Sequence, residues 1–245
     1  MKFSFVRTRA AIAGVLVLAL LGGCATGPNA DPRDPLEPFN RGVYSFNEGV
    51  DRAVLKPVAQ VYNDTLPSPV RTGVRNFFNN LADAWTAVNA LLQLRGQAAV
   101  ESLFRFQVNT VFGLGGLIDI ASDADIPRHR EDFGKTLGRW GVPTGPYLVL
   151  PLLGPSTIRD TAALPVDTWG NPVSHLDEHG ARYGLYGLRI IDTRAQLLRT
   201  STVLDEAALD KYSFTRDIYL QLRGATDYDG NADDPDAQPA AAPAK

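Results

Sequence analysis

The stretch GPYLVLPLLGPSTIRD, residues 145–160, limits what this chain can fold into more than any other. Its first half is almost wholly apolar, as a buried strand or a lipid-facing helix would be. Pro146, Pro151 and Pro155 interrupt it at close intervals. Each proline removes a backbone donor and, inside a helix, collides with the preceding turn, so no regular element is expected to run through unbroken. The segment reads as an apolar connector that bends sharply. It is either a loop buried under a soluble bundle or a turn beside lipid, where irregular backbone survives only if its polar groups find partners.

Elsewhere the period is helical. From Ser68 onward, Val70, Val74, Phe77, Phe78, Leu81, Trp85, Val88, Leu91 and Leu92 recur at spacings of three, four and seven, with Arg71, Arg75, Asn76, Asn79 and Asp83 between them. This predicts one long amphipathic helix, or two joined by a kink, with Ser68 as cap and Pro69 in the first turn. The next helix, around residues 103–112, is apolar around much of its circumference and leaves Glu101, Arg105 and Asn109 as its polar side. Such a helix is buried or faces lipid. Further helices are expected near residues 36–54, 131–140, 179–200 and 205–223. Alternating β-branched runs hardly occur, so the expected class is all-α.

The N-terminus sets the compartment. Lys2, Arg7 and Arg9 precede an apolar run at residues 10–21, too short to span a bilayer and suited to an export signal. It ends in Leu21-Gly22-Gly23-Cys24, and Cys24 is the only cysteine in the chain. This ending resembles a bacterial lipobox, so residues 1–23 are read as a lipoprotein signal peptide and Cys24 as the acylated residue, with more than one acyl chain giving stable anchoring. Residues 24–35 form a polar, proline-rich tether, residues 36–223 the folded part, and residues 224–245 an acidic, Ala/Pro-rich tail. With a net charge of −3 and no basic stripe, nucleic acid is not an expected partner.

No catalytic set emerges. His175-Leu176-Asp177-Glu178-His179 matches a zinc-peptidase pattern, but Pro172 and Ser174 place it at a helix start, where acidic residues belong for electrostatic reasons. No metal or cofactor is expected. The glycines at 113, 115 and 116 lack the strand and spacing of a phosphate loop and read as a turn with unusual backbone angles.

Several long motifs in order carry a family likeness: DPLEPFNRGVYSFNEGVDRAVLKPVAQVY, PSPVRTGVRNFFNNL, RFQVNTVFGLGGLIDIA, EDFGKTLGRWGVPTGPYLVLPLLGPSTIRD and TRAQLL. Together they resemble the MlaA (VacJ) family of outer-membrane lipoproteins, over about residues 34–223. The resemblance implies a doughnut-like ring of amphipathic helices in the periplasmic leaflet of the outer membrane, with a central pore. It implies a conduit for phospholipids that have strayed into the outer leaflet, working beside a trimeric porin. The lipid would pass to a soluble periplasmic carrier of the MlaC type and then to an inner-membrane ABC transporter, without covalent chemistry.

By motif, the lipid path would include Asn40, Val43, Tyr44, Phe46, Asn47 and Asp51 on the first helix. Asn109, Gly113, Gly115 and Gly116 would form a loop hanging in the pore. For Asn40 and Asn47, capping or helix-helix hydrogen bonding is an equal alternative. A porin-associated structural lipoprotein without transport is the competing function, and a periplasmic hydrolase is disfavoured by the missing catalytic set.

Overall fold

A computed structural model describes residues 31–201 and 208–228. Cys24, its signal and residues 229–245 lie outside the described residues. Helix α1 (Glu37–Val50) starts with Pro38 in its first turn, where a missing N–H leaves nothing unpaired. It runs into a π-helical turn (Asp51–Leu55), in which Lys56 N–H reaches Asp51 O five residues back, and then into α2 (Lys56–Thr65). Pro57 follows immediately and cannot donate to the preceding turn, which accounts for the widened turn at this point.

α3 (Ser68–Leu92) is one unbroken helix. Pro67 occupies its cap position, and Ser68, expected to cap, makes no capping bond. α4 (Gly96–Val111) returns along it after a tight turn, followed by the short α5 (Ile120–Asp123) and α6 (Phe133–Arg139), each capped by an aspartate, Asp119 and Asp132. α7 (Ile158–Gly170), a 3-10 turn (Pro172–His175), α8 (His179–Gln196) and α9 (Lys211–Tyr228) complete the order. α9 extends beyond the expected boundary at 223.

Residues 145–160 are not an irregular connector. They form a β-hairpin, β1 (Tyr147–Leu150) antiparallel to β2 (Gly154–Thr157), with Pro151 in the turn and Pro155 opposite Val149. Proline is tolerated because a two-stranded ribbon consists only of edges. Leu152 turns the corner in the left-handed region, φ 64°, and Gly154 follows at φ 83°. Alternation sorts the apolar residues: Tyr147 and Val149 are fully buried against Val43, Tyr44 and Tyr212, while Leu152 and Leu153 protrude at the tip.

The elements close on themselves. α1 packs on β1, β2 on α9, α9 on α6, α6 on α3, α3 on α8, and α8 on α2, which returns through the π turn to α1. Two ion-paired or hydrogen-bonded latches reinforce the last contact: Arg194 holds Asp51 at 2.6 and 2.9 Å, and Tyr62 Oη donates to Asp192 at 3.0 Å.

The polarity of the α3–α4 hairpin is inverted. Of the expected polar side of α4, Arg105 and Asn109 point inward, each 1% exposed, with Ser102 beside them, while Glu101 is partly exposed and holds His129. Leu103, Phe104, Val111 and Phe112 point out, the last two at 69%. α3 does the same, burying Asn80, Asp83 and Asn89 and exposing Val88, Leu91 and Leu92. The two helices meet through small residues, Ala90 against Ala98 and Ala99, that let the backbones approach closely. Arg105 Nη2 donates to Asp119 at 2.8 Å and Ser122 Oγ at 3.0 Å, while Arg128 bridges Asp119 at 3.2 Å and Asp83 at 3.4 Å. Two arginines thus share two aspartates inside the hairpin. Among the described residues no helix is long and apolar enough to cross a membrane.

Candidate functional site

The ring encloses an open cavity of about 870 Å³. The inner face of α3 supplies one wall, with Arg75 and Asn79 near its start and Trp85 and Thr86 further along. The segment between α5 and α6 supplies Arg128, His129, Arg130 and Glu131. α7 contributes Leu164 and Asp167, α8 Tyr186, Arg189 and Asp192, and α9 Leu222 and Arg223. The lining mixes hydrocarbon with charge, a composition suited to an amphipathic ligand.

Trp85 anchors the wall. Its indole Nε1 donates to Asp167 at 2.8 Å, and its ring lies on Gly170 so closely that a Cβ there would be 2.3 Å from the ring carbons. Asp167 also accepts from Phe133 N at 2.8 Å, tying α6 to α7, and burial pushes its carboxyl above the usual range. Close to Asp167, Arg223 joins Asp132 at 2.8 Å and Asp160 at 3.1 Å, with Tyr219 Oη donating to Asp160 at 2.9 Å. Burial raises the Tyr219 phenol to about 12. Beyond this partition lies a smaller recess of about 170 Å³ under the hairpin, which shares Leu164, Asp167, Tyr219 and Arg223 with the large cavity.

The residues expected on the first helix sit elsewhere, along the hairpin. Asn40 is fully buried, donating to Asp34 at 2.8 Å and Tyr147 O at 3.1 Å and accepting from Val149 N at 2.9 Å. Asn47 repeats the motif one strand-length on, donating to Leu150 O at 2.9 Å and accepting from Leu152 N at 2.8 Å. Both amides therefore act as clamps on the backbone of the hairpin, which is neither capping nor a helix-helix hydrogen bond. Val43 and Tyr44 pack on the buried tyrosine cluster, Asp51 is taken by Arg194, and Phe46 is 54% exposed. None of the six is in the wall of the large cavity.

The glycine loop is held against α3, next to the cavity wall. Asn109 donates to Asp119 and accepts from Ala121 N, both at 2.9 Å, and so fixes the base of the loop. Gly115 and Gly116 have φ of 72° and 92°, and a Cβ on Gly116 would lie 2.6 Å from the Asn80 side chain. A Cβ on Gly113 would meet Ile118 O at 2.2 Å. Asn76 donates to Leu117 O at 3.1 Å, one residue along α3 from the wall residue Arg75.

His175 and His179 do not form a ligand pair. His175 ends the 3-10 turn and donates to Trp169 O at 2.6 Å, whereas His179 begins α8 and stands beside Tyr183. Among the described residues no group of three or more His, Cys, Asp or Glu side chains could hold a metal ion. The wall cations were missed in the sequence because they stand on five separate parts of the chain, α3, the α5–α6 segment, α6, α8 and α9. Their one signal was a surplus of arginine on otherwise amphipathic faces.

The family described as MlaA lipoprotein matches residues 32–226, nearly all of the ring. The chain belongs to the MlaA lipoprotein family. It is similar to the intermembrane phospholipid transport system lipoprotein MlaA of Escherichia coli (strain K12), 39% identical over 208 residues that cover 82% of each chain. The protein of the same description from Haemophilus influenzae is 34% identical over 224 residues, 88% of this chain and 89% of that one. A chain solved in work on the structural basis for maintenance of bacterial outer membrane lipid asymmetry is 37% identical. It superposes with a TM-score of 0.70, over 79% of this MlaA-family chain and 98% of its own.

Proposed function

We propose that this MlaA-family protein is a phospholipid conduit of the outer membrane, anchored through acylated Cys24 and seated by its ring in the periplasmic leaflet. The observation that carries the reading is the inverted polarity: a fold that turns Phe104, Val111 and Phe112 outward and Arg105 and Asn109 inward matches an apolar surround. An exposed apolar surface of this kind marks a membrane or protein contact. The closed ring with a cavity of about 870 Å³, charged and greasy by turns, supplies a path for a molecule with a phosphate at one end and hydrocarbon at the other. The relatives' role in intermembrane phospholipid transport supports the same substrate.

In this reading lipid leaves the outer leaflet through the ring and is handed to a soluble periplasmic carrier of the MlaC type. An inner-membrane ABC transporter lies further along the route, and a trimeric porin holds the ring in place at its apolar rim. The loop of Gly113, Gly115 and Gly116, pinned by Asn109 beside the cavity wall, serves as the gate. The protein moves lipid and makes or breaks no covalent bond.

The test is reconstitution of the full chain in liposomes carrying a labelled phospholipid in one leaflet only, with the soluble carrier outside. Transfer of label to the carrier that requires the protein is expected. A protein that binds porin normally but transfers no lipid would instead be a structural lipoprotein.

A further inference from the structure

The cavity's charges do not balance. Among the described residues five carboxylates line it, and three are already matched by cations: Asp83 by Arg128, Glu131 by Arg95, and Asp132 by Arg223. The other two are in no ion pair with a described cation. Asp192 has both oxygens occupied, by Tyr62 Oη and by Gln196 Nε2, while Asp167 takes two N–H donors on one oxygen and is pushed toward its neutral form by burial.

Against these stand four cationic wall residues in no ion pair with a described carboxylate: Arg75 on α3, Arg130 before α6, Lys135 on α6 and Arg189 on α8. Arg75 reaches only Thr72 Oγ1 at 3.5 Å, and Lys135 donates to the carbonyl of Arg130. Tyr186 brings to the same wall a buried hydroxyl with no hydrogen-bond partner among the described residues. Donors for a phosphate are therefore in surplus, from several sides. An acceptor for an ammonium group is not.

We infer that the cavity selects lipids by net head-group charge, favouring a phosphodiester with an uncharged substituent over one that carries an amine. The inference rests on the conduit reading. An anionic head gains attraction from the uncompensated guanidinium and ammonium groups. A zwitterionic head gains it at the phosphate but brings its own cation into a wall already positive by about two charges. Each partly exposed pair strengthens binding about twofold, so an excess of two favours the anionic lipid by about fivefold.

The experiment uses the full chain in detergent, titrated with an equimolar mixture of phosphatidylglycerol and phosphatidylethanolamine and read by native mass spectrometry. Wild type should retain the glycerol lipid in about fivefold excess. The Lys135→Gln/Arg189→Gln variant should bind lipid in nearly equal proportions. Arg52→Gln, which removes an exposed cation on the π turn that is not in the cavity lining, should keep the wild-type ratio. Equal retention by the wild type, or an unchanged excess in the Lys135/Arg189 variant, overturns selection while leaving the conduit standing. Failure to retain either lipid, with transfer to the carrier also absent, overturns both.

Discussion

The two asparagines of α1 do for the hairpin what a third strand would do in a sheet. Each offers one N–H and one carbonyl to a strand edge, so Asn40 and Asn47 satisfy backbone groups that the neighbouring helix cannot. Asn40 is the costlier to lose, because Asp34 and two backbone groups behind it are shut off from water. Asn40→Leu should lower stability by about 2–4 kcal/mol, whereas Asn47→Ala, nearer the surface, should lower it by about 1 kcal/mol. Denaturant unfolding in mild detergent measures both. These clamps were not legible in the sequence, which offers a lipid path, a cap or a helix-helix bond, since an asparagine on an amphipathic helix looks the same whether it faces a strand, a lipid head or water.

At the scale of single elements, the glycine loop proposed as the gate and the outward helix make separate predictions. Replacing Gly115 and Gly116 together by valine forces side chains into left-handed backbone, at about 1–2 kcal/mol per residue, and drives one of them into Asn80. The double variant should remain folded and membrane-bound but transfer lipid to the carrier poorly, which the reconstitution assay reads directly. Normal transfer with a loop of altered shape would remove its role as a gate. For the outward surface, Cys24→Ser should abolish acylation yet leave a protein that needs detergent to stay monodisperse. Spin labels at Phe104 and Leu152 should then report hydrocarbon and not water when the protein meets membranes. The helical elements were readable because their period is long and sustained. The hairpin was not, because three prolines mask two four-residue strands whose pairing depends on α1, far away in sequence. α7 also went unnoticed, although Thr157 caps it by accepting from Asp160 N, since Pro165 interrupts its pattern.

For the whole molecule, the ring is closed by α9, and the closure is electrostatic. Arg41 of α1 grips Asp210 at 2.6 Å at the start of α9, and Arg216 of α9 reaches Asp31 at 3.2 Å. Hydrogen bonding from Arg33, with further help from Arg216, holds the Asp31 carboxyl down to about 2, and Arg41 lowers Asp210 further still. A carboxyl whose folded pKa is depressed gives its full stabilisation above its ordinary value of 3.8 and loses it as the pH falls toward the folded value. Between pH 4 and about 2 the α9 latch should therefore open before the α3–α4 hairpin melts. Hydrogen exchange at low pH should show α9 amides losing protection first; simultaneous loss across the ring would mean that the closure does not depend on these carboxylates.

The same inverted polarity reaches into the thermodynamics of the fold. Among the described residues the largest side chain wholly shut away from its surroundings is Arg105, and Asn40, Asn80, Asn89 and Asn109 stand beside Tyr147 and Val149 in that company. Heat capacity rises on unfolding because hydrocarbon meets water, and falls because polar groups do. Calorimetry in detergent should accordingly give a heat-capacity increment below the roughly 12–15 cal/mol/K per residue of ordinary globular proteins. A small increment flattens the stability curve, so the ring would lose little of its stability on cooling and keep its shape across the range of temperatures over which its membrane stiffens and softens.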